Sequence, residues 1–374
     1  MDTKKSENNS APMGLTESQW AAIQAIRPLE EMAVPTDEAS RSVDVYLSDE
    51  RYQAEQRDLF KKVPVVATMS AYLPEPGMSL AQDCYGVPLL ITRDRDGIAR
   101  AFINACRHRG SKLLEGSEPV KSARVSCPYH AWTYAMDGKL IGVPRQETFP
   151  SLKKCDLGLV ALKTYEAGGF IWVGLDHKES PDMLEGSDQV CADLEAFGLD
   201  KMYVYGRRKY DLETNWKFVI EPFLEGYHVQ RLHADSIAKL FDDVPSVYTF
   251  LGHNQRQVSG KAGFDPSILE GNPSNLHKYI THAYLAFPNT IVVTSPYYTK
   301  SLIHISEPTR PLYTSYPVFC LKKNIQPSRL CLNSFSSFSL RQFPNITSNS
   351  LFLSSIPPLS PYVLHSPTQH LVLY

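Results

Sequence analysis

Two short segments of the sequence each place a cysteine close to a histidine. Cys106 and His108 are separated by one residue, and Cys127 and His130, after 18 intervening residues, are separated by two. Alternate residues of a strand point the same way, and a tight loop can align residues three apart, so each segment can present two side chains to one point. Together the four side chains can bind a metal centre.

Two kinds of metal centre suit two thiolates and two imidazoles, namely a tetrahedral zinc site and a Rieske 2Fe-2S cluster. Zinc fingers keep like ligands together, with two cysteines followed by two histidines. Here each segment supplies one cysteine and one histidine, as a cluster with one sulfur-bound and one nitrogen-bound iron requires. The pattern therefore favours the 2Fe-2S cluster over zinc.

A second candidate metal site lies further along the chain, at Glu225, His228 and His233. On an ideal helix Glu225 and His228 are neighbours one turn apart, but His228 and His233 differ in direction by about 140°. A regular helix cannot aim both histidines at one metal, so we expect the helix to distort or end between them. Taken alone, this pattern is equally compatible with histidines that have only a structural role.

The elements that must position these residues differ between two regions. Residues 63–176 contain short β-branched and aromatic runs broken by turns, among them Asp96-Gly97 and Asp137-Gly138, which predicts a small antiparallel β domain. A helix over residues 48–62 precedes it. From about residue 190 helical and strand-like patterns mix, which predicts a second domain of mixed structure.

The composition disfavours several classes of partner. Lys and Arg number 38 against 40 Asp and Glu, without a basic block, so neither nucleic acid nor a membrane surface is expected as a partner. The chain shows no export signal and no apolar run near the ~18 residues of a membrane span. Seven cysteines, an odd number, favour thiols or metal ligands over disulfides. We therefore expect a cytoplasmic protein whose partners are small molecules or other proteins.

Four segments resemble the large or alpha subunit of Rieske non-heme iron oxygenases of the aromatic-ring-hydroxylating type. They are RDRDGIARAFINACRHRGSKL, CPYHAW, GKLIGVP and NWKFVIEPFLEGYHVQRLH. The resemblance implies an α+β fold, in which a small antiparallel β Rieske domain precedes an incomplete helix-grip catalytic domain of antiparallel sheet plus helices. The domains expected are a flexible N-terminal arm at 1–42, the Rieske domain with its preceding helix at 43–178 and a partial catalytic domain at 190–300.

The resemblance also assigns cofactors to the candidate residues. The 2Fe-2S cluster is assigned to Cys106, His108, Cys127 and His130. A mononuclear non-heme Fe(II) is assigned to His228 and His233. Glu225 takes the place of the acidic residue that, in the family, bridges to a cluster histidine of the neighbouring subunit, with His130 or His108 as its partner.

The activity implied is that of the oxygenase component of a mono- or dioxygenase. A reductase, with or without a ferredoxin, would supply electrons, and dioxygen would be used to hydroxylate, dihydroxylate or demethylate a small organic substrate. The intact protein would be a homotrimer or an alpha-beta hexamer. The substrate stays open between aromatic acids, other aromatic compounds and quaternary ammonium compounds.

Two alternatives belong to other functional classes. The first is a Rieske ferredoxin-like electron carrier, although such carriers are much shorter and lack a segment such as Asn215 to His233. The second is a zinc-stabilised structural or regulatory module. Visible and EPR spectra separate all three, because zinc gives no signal and a carrier lacks the mononuclear iron.

The third iron ligand of the family is an aspartate well downstream of the paired histidines. The acidic residues that follow His233 before residue 300 all lie too early to match it, namely Asp235, Asp242, Asp243, Asp265 and Glu270. We therefore expect the third ligand to be absent, and this chain to be inactive while its intact parent is active.

A sharp change of composition occurs at about residue 301. All 20 glycines and all four tryptophans precede it, and the residues after it include a single acidic residue, Glu307. The run SLIHISEPTR also resembles the translation of a common sequencing adapter. We therefore expect residues 301–374 to be a non-native or disordered tail.

Resequencing the gene across codon 300 tests this expectation. A continuation that differs from the present one is the expected result, since an adapter would have been joined there during assembly. Recovery of the same 74 residues from an independent clone would show that the tail belongs to the protein.

Overall fold

The computed structural model describes residues 14–28, 31, 39–179, 182–241, 246–270, 273–295, 298–305, 314–322 and 370–373. Its α-helices are α1 (Glu17–Gln24), α2 (Asp44–Leu47), α3 (Asp49–Ala54), α4 (Ser187–Ala196), α5 (Trp216–Ile220) and α6 (Val229–Leu232). A π-helical turn, Glu55–Phe60, continues α3, and a 3-10 turn, Glu221–Leu224, continues α5. Further 3-10 turns are Ser70–Tyr72, Gln146–Thr148, Lys154–Leu157, Leu199–Lys201, Ala238–Leu240, Pro266–Glu270 and Pro273–Lys278.

The strands fall into two groups along the chain. The first group is β1 (Ala39–Ser42), β2 (Val65–Met69), β3 (Met78–Cys84), β4 (Val87–Arg93), β5 (Ala99–Ile103), β6 (Val120–Lys121), β7 (Arg124–Ser126), β8 (Thr133–Ala135), β9 (Leu140–Gly142), β10 (Ala161–Leu162), β11 (Thr164–Ala167) and β12 (Phe170–Val173). The second group is β13 (Tyr203–Leu212), β14 (Ser246–Leu251), β15 (Asn254–Gly260), β16 (Ile280–Ala286), β17 (Thr290–Thr294), β18 (Tyr298–Ile303), β19 (Thr314–Lys322) and β20 (His370–Leu373).

The first domain consists of small antiparallel sheets, as predicted. Its strands form one five-stranded sheet, β10-β5-β4-β3-β6, and two three-stranded sheets, β11-β12-β2 and β7-β8-β9. Every residue of β2 and β12 is buried. This explains why their sequences are apolar apart from Thr68, since a strand covered on both faces has no polar side. The three-stranded sheet β7-β8-β9 carries one of the two metal-ligand loops.

Both predicted hairpin turns are confirmed. Gly97 joins β4 to β5 and Gly138 joins β8 to β9, each with a positive φ, of 81° and 85° respectively. Gly138 is also required for space, because a Cβ there would lie 2.4 Å from the ring of Phe102. Glycine meets both demands, since it lacks a Cβ and accepts positive φ without strain.

The second domain is built on a seven-stranded antiparallel sheet in the order β13-β19-β18-β17-β16-β15-β14. Alternate residues of β16 are buried, so one face of the sheet lies against the core. Helices α1 and α4 contact β14 and β15 near one edge of this sheet. The antiparallel sheet and its few helices agree with the predicted catalytic domain.

The predicted domain end at residue 300 lies inside this sheet. Strand β18 runs through residue 300, and β19 lies between β13 and β18. Pro317, Phe319 and Leu321 of β19 are buried while the residues between them are half-buried. Alternating burial is typical of a strand and does not depend on the composition of the surrounding segment. The change of composition at about residue 301 therefore does not mark the end of the sheet. Residues 323–369 of the predicted tail lie outside the described residues.

The prediction of a flexible arm at residues 1–42 needs correction for residues 14–28. Helix α1 begins with a capping box in which Thr16 and Gln19 bond to each other's backbone. Trp20, Ile23 and Ile26 are buried in the main core. These apolar side chains recur every three residues, so they lie along one side of the segment, and their burial holds the helix against the core.

Two general expectations concern membranes and disulfides. Within the described ranges, no helix combines the length and the apolar character needed to cross a bilayer. The six cysteines found in the described part of the chain are free thiols. The second observation agrees with the expectation that the cysteines are thiols or ligands.

A buried ion pair connects α1 and α4 to the seven-stranded sheet. Arg256 on β15 donates to Asp193 on α4 at 2.7 Å, and both side chains are almost fully buried. Thr16 donates to the other carboxylate oxygen at 2.6 Å, and Tyr284 donates to Asp193 at 3.2 Å. Arg256 also donates to the backbone oxygen and hydroxyl of Ser18. The pair is therefore hydrogen-bonded, and its contacts come from four elements, α1, α4, β15 and β16.

Replacing Arg256 by Met tests the importance of this pair. Removal of one partner leaves the Asp193 carboxylate buried without its countercharge, which typically costs about 3–5 kcal/mol of unfolding free energy. The denaturant midpoint, followed by tryptophan fluorescence, should fall accordingly. Arg57→Met is the matched control, because Arg57 pairs with Asp58 at the surface and should leave the midpoint unchanged. Equal midpoints for the two variants would contradict the prediction.

Candidate metal centres

The four predicted cluster residues lie on two tight loops. Cys106 and His108 follow β5, where the N–H of Cys106 donates to Ser111 and that of Gly110 donates back to Cys106, both at 2.8 Å. Cys127 and His130 lie between β7 and β8, in a loop closed by bonds from Cys127 to Trp132 and from Ala131 to Cys127. Each loop thus fixes its cysteine by backbone hydrogen bonds on both sides.

The two loops bring like side chains together. The Nδ1 atoms of His108 and His130 lie 3.1 Å apart, and Cys106 and Cys127 are both buried in one small apolar cluster of the first domain. The ring of His108 stacks on that of Trp132, with centroids 4.8 Å apart and planes at 9°. The structure therefore gathers the four residues, with the thiols inside and the imidazoles at the surface.

The electrostatic surroundings of the histidines favour metal ligation. Partial desolvation, and then the charges of His130 and Arg109, lower the pKa of His108. A neutral imidazole keeps a lone pair available for a metal, and a protonated one does not. The facing Nδ1 atoms of His108 and His130 are therefore suited to bind one iron of a cluster.

The arrangement also discriminates between the two metal centres left open by the spacing. A tetrahedral zinc ion draws all four ligands around itself. In a Rieske cluster each iron takes only two protein ligands, so a buried cysteine pair beside an exposed histidine pair fits the cluster.

Tyr134, which the sequence did not single out, lies against the thiol side of this site. Its hydroxyl is 3.4 Å from Sγ of Cys106 and accepts a hydrogen bond from the backbone N–H of Arg107 at 3.0 Å. Burial, together with the contact to Cys106, raises the pKa of Tyr134. The phenol stays protonated and can donate a hydrogen bond to a cluster thiolate. A tyrosine on a strand has no feature in sequence that separates this role from packing.

The second candidate site lies around a single turn of helix. The 3-10 turn after α5 ends at Leu224, Glu225 is extended with φ −141° and ψ 156°, and α6 starts after His228 and ends before His233. The ring centroids of the two histidines are 5.3 Å apart. Helix α6 occupies all four residues between the two histidines, so the helix ends only at His233 itself. The helical path is broken instead before His228, at the extended Glu225, and the two histidine rings are in contact.

Glu225 contacts His228 of its own chain. One carboxylate oxygen is hydrogen-bonded to Nδ1 of His228, and the other accepts the His228 backbone N–H at 3.2 Å. Burial raises the pKa of Glu225, but the hydrogen bond and charge of His228 outweigh it, so that the net pKa is lowered. A carboxylate on Nδ1 orients the ring and leaves Nε2 for a metal, as in many carboxylate–histidine–metal sites.

His233 has a similar character. Burial, and then the charge of His228, lower the pKa of His233. The ring is consequently biased towards its neutral, ligating form. Asp242 and Asp243, two of the acidic residues considered above, lie outside the described residues, and the absence of a third ligand stays a prediction.

Comparison with known proteins follows the same division of the chain. Residues 63–166 match the family described as the Rieske [2Fe-2S] domain, and residues 199–325 match the ring hydroxylating alpha subunit, catalytic domain. Together the two matches cover more than half of the chain. The second match, like the sheet, extends past residue 300.

Several characterised relatives are oxygenase subunits. The chain is 30% identical over 236 residues to the carnitine monooxygenase oxygenase subunit of Acinetobacter pittii, covering 60% of this chain and 62% of the relative. It is 31% identical over 231 residues to the glycine betaine monooxygenase oxygenase subunit of Pseudomonas aeruginosa, covering 58% and 52%. It is 29% identical over 202 residues to the anthranilate 1,2-dioxygenase large subunit of Acinetobacter baylyi, covering 52% and 42%. The chain thus spans less than two thirds of the length of these relatives.

Solved structures agree on the fold. A quaternary ammonium Rieske monooxygenase in complex with L-carnitine matches with a TM-score of 0.64 at 22% identity, over 82% of both chains. Naphthalene 1,2-dioxygenase from Rhodococcus bound to indole matches with a TM-score of 0.63 at 21% identity, over 77% of this chain and 74% of the other. With a Rieske domain followed by a ring-hydroxylating catalytic domain, the chain belongs to the alpha subunits of the Rieske non-heme iron oxygenases, whose cofactors are a 2Fe-2S cluster and a mononuclear iron.

Proposed function

We propose that the protein is the oxygenase component of a Rieske mono- or dioxygenase. The observation that supports this most directly is the presence of two separate ligand sets, one in each domain. Cys106 and Cys127 would bind one iron of the cluster, and His108 and His130 the other. His228, through Nε2, and His233 would bind the mononuclear iron. When bound, these groups supply electron transfer and the activation of dioxygen.

The residues of the chain have distinct tasks in this proposal. His130 is exposed, so an electron can pass between the cluster and a partner through little intervening protein. The ring of Trp132 stacks on His108 and covers one face of that histidine. Glu225 holds the tautomer and the orientation of His228. Its side chain is 37% exposed, and a carboxylate has about four acceptor sites, so it can also accept a hydrogen bond from a cluster histidine of a neighbouring subunit.

The partners proposed are a reductase, with or without a ferredoxin, and further copies of the chain. A homotrimer or an alpha-beta hexamer would place the cluster of one subunit beside Glu225 of the next. A cytoplasmic location stays a prediction. A simple electron carrier is disfavoured as the alternative, because it would not require the catalytic-domain match at residues 199–325.

The substrate proposed is a small quaternary ammonium compound. Relatives named for carnitine, glycine betaine and choline support this class over aromatic acids. Exposed aromatic side chains occur next to the second site in sequence and on β14, namely Tyr227, Tyr248 and Phe250. Aromatic faces attract quaternary ammonium groups through cation–π interactions. A panel of carnitine, glycine betaine, choline and anthranilate, assayed for substrate-dependent oxygen uptake with a reductase, distinguishes the classes.

Replacing His228 by Ala tests the assignment of the mononuclear iron. Loss of a direct ligand should weaken Fe(II) binding by more than about 100-fold, since changes of outer-shell partners alone cost about 10- to 100-fold. Oxygen uptake should be lost while the EPR signal of the reduced cluster is retained. His253→Ala is the control, because His253 is exposed and should leave iron binding unchanged.

The wild-type chain gives the decisive result for this proposal. Fe(II) binding together with substrate-dependent oxygen uptake would support it. A chain that holds the cluster but binds no Fe(II) would overturn the assignment of His228 and His233 to iron. A chain that binds Fe(II) but consumes no oxygen would agree with the predicted lack of a third ligand.

Replacing Tyr134 by Phe tests the assignment of the cluster. A hydrogen bond to a cluster sulfur stabilises the reduced state, and a net contribution of about 1 kcal/mol corresponds to about 40 mV for a one-electron couple. The reduction potential of the cluster should fall by about this amount without loss of its EPR signal. Tyr72→Phe, which removes a hydroxyl bonded to Glu118 instead, should leave the potential unchanged. Equal potentials for both variants and the wild type would contradict the proposed contact.

A further inference from the structure

The Glu225–His228 pair is joined directly to a short helical segment. Helix α5 (Trp216–Ile220) passes without a loop into the 3-10 turn Glu221–Leu224, and Glu225 follows at once. A helix of five residues has little stability of its own. The position of Glu225 and His228 therefore depends on whatever holds α5 in place.

The first contact to α5 comes from Glu55, which precedes the Rieske domain. Its carboxylate accepts hydrogen bonds from Trp216 Nε1 at 2.9 Å and from Lys217 Nζ at 2.8 Å. The side chains of Lys217 and Glu55 are only 12% and 13% exposed. A buried ammonium needs a countercharge. The first turn of α5 must therefore keep Lys217 turned towards Glu55.

The second contact comes from Tyr46 of α2. Its ring stacks on that of Phe218, with centroids 4.2 Å apart, and its hydroxyl donates to Glu221 at 2.8 Å. Its backbone oxygen also accepts a hydrogen bond from Asn215 at 2.8 Å. Tyr46 thus contacts the residue before α5, the helix itself and the turn that leads to Glu225.

The segment that carries these two residues is itself anchored in the first domain. Phe60, at its end, is fully buried, stacks on Tyr85 with centroids 4.1 Å apart, and meets the edge of Trp216 at 5.1 Å. Tyr85 lies in the turn between β3 and β4. The segment therefore connects the core of the Rieske domain to α5 of the catalytic domain.

From these contacts we propose that residues 44–60 form a clamp that positions the Glu225–His228 pair, with Tyr46 and Glu55 as its positioning residues. The proposal rests on the proposed function, because it concerns the geometry of the mononuclear iron site. Neither residue touches the iron ligands. Both act through α5 and the turn that follows it.

Tyr46→Phe is the sharpest test, because it keeps the ring that stacks on Phe218 and removes only the hydroxyl bonded to Glu221. Titration of the full chain with Fe(II), followed by the EPR spectrum of its nitric oxide adduct, reports affinity and ligand geometry. Affinity should fall by about threefold to tenfold, less than the 10- to 100-fold typical of partners that touch a ligand, and the spectrum should broaden. The cluster EPR signal should stay unchanged, and the thermal midpoint should fall no further than it does in Tyr72→Phe, which also loses one hydrogen bond to a glutamate.

Matched variants separate positioning from general stability. Tyr72→Phe removes the hydrogen bond from another largely buried tyrosine to a glutamate, Glu118, and should leave Fe(II) binding unchanged. Glu221→Met removes the acceptor of the Tyr46 hydroxyl and should weaken Fe(II) binding as Tyr46→Phe does. Glu221→Gln keeps an oxygen that can accept this bond and should retain the wild-type affinity. These two variants also carry the test if Tyr46→Phe fails to fold.

The outcomes distinguish the two proposals. Wild-type Fe(II) affinity and spectrum in Tyr46→Phe or in Glu221→Met would overturn the clamp while leaving the proposed function intact. A wild-type chain that shows the cluster signal but binds no Fe(II) would overturn the proposed iron site, and the clamp with it.

Discussion

Metal ligands must be held to within about 0.5 Å of a productive geometry, and in this chain they lie on segments too short to hold themselves. Helix α6 has four residues between its two histidines, and the cluster loops are single turns. An isolated turn of helix is unstable in water, because few hydrogen bonds offset the cost of ordering it. The positions of the ligands therefore depend on contacts made by the rest of the fold.

The cluster loops meet this requirement locally. Backbone bonds close each loop around its cysteine, Trp132 supports the ring of His108, and Tyr134 reaches the thiol of Cys106. All of these residues belong to two sheets of the first domain or to the loops between their strands. The cluster site is consequently a property of the first domain.

The mononuclear site instead depends on distant parts of the chain. Asn289 joins the two domains by exchanging two hydrogen bonds with the backbone of Val66, at 2.9 and 3.0 Å, and the main core contains residues of both domains. The Asp193–Arg256 pair adds α1 and α4 to the same body. The positions of Glu225 and His228 therefore depend on contacts between segments that come together only in the folded chain.

The sequence by itself predicted the four candidate cluster residues and the paired histidines, and it determined the hairpin glycines and the order of the two domains. These features depend on neighbours in the chain, because alternation, turn chemistry and ligand spacing act over a few residues. Only the tertiary structure decided that residues 14–28 dock as a helix, that β19 enters the sheet beyond residue 300, that Glu225 bonds to His228 of its own chain, and that Tyr46 and Glu55 hold α5. The physical reason is that neither of two segments far apart in sequence carries information about which partner will bury its side chains or accept its hydrogen bonds.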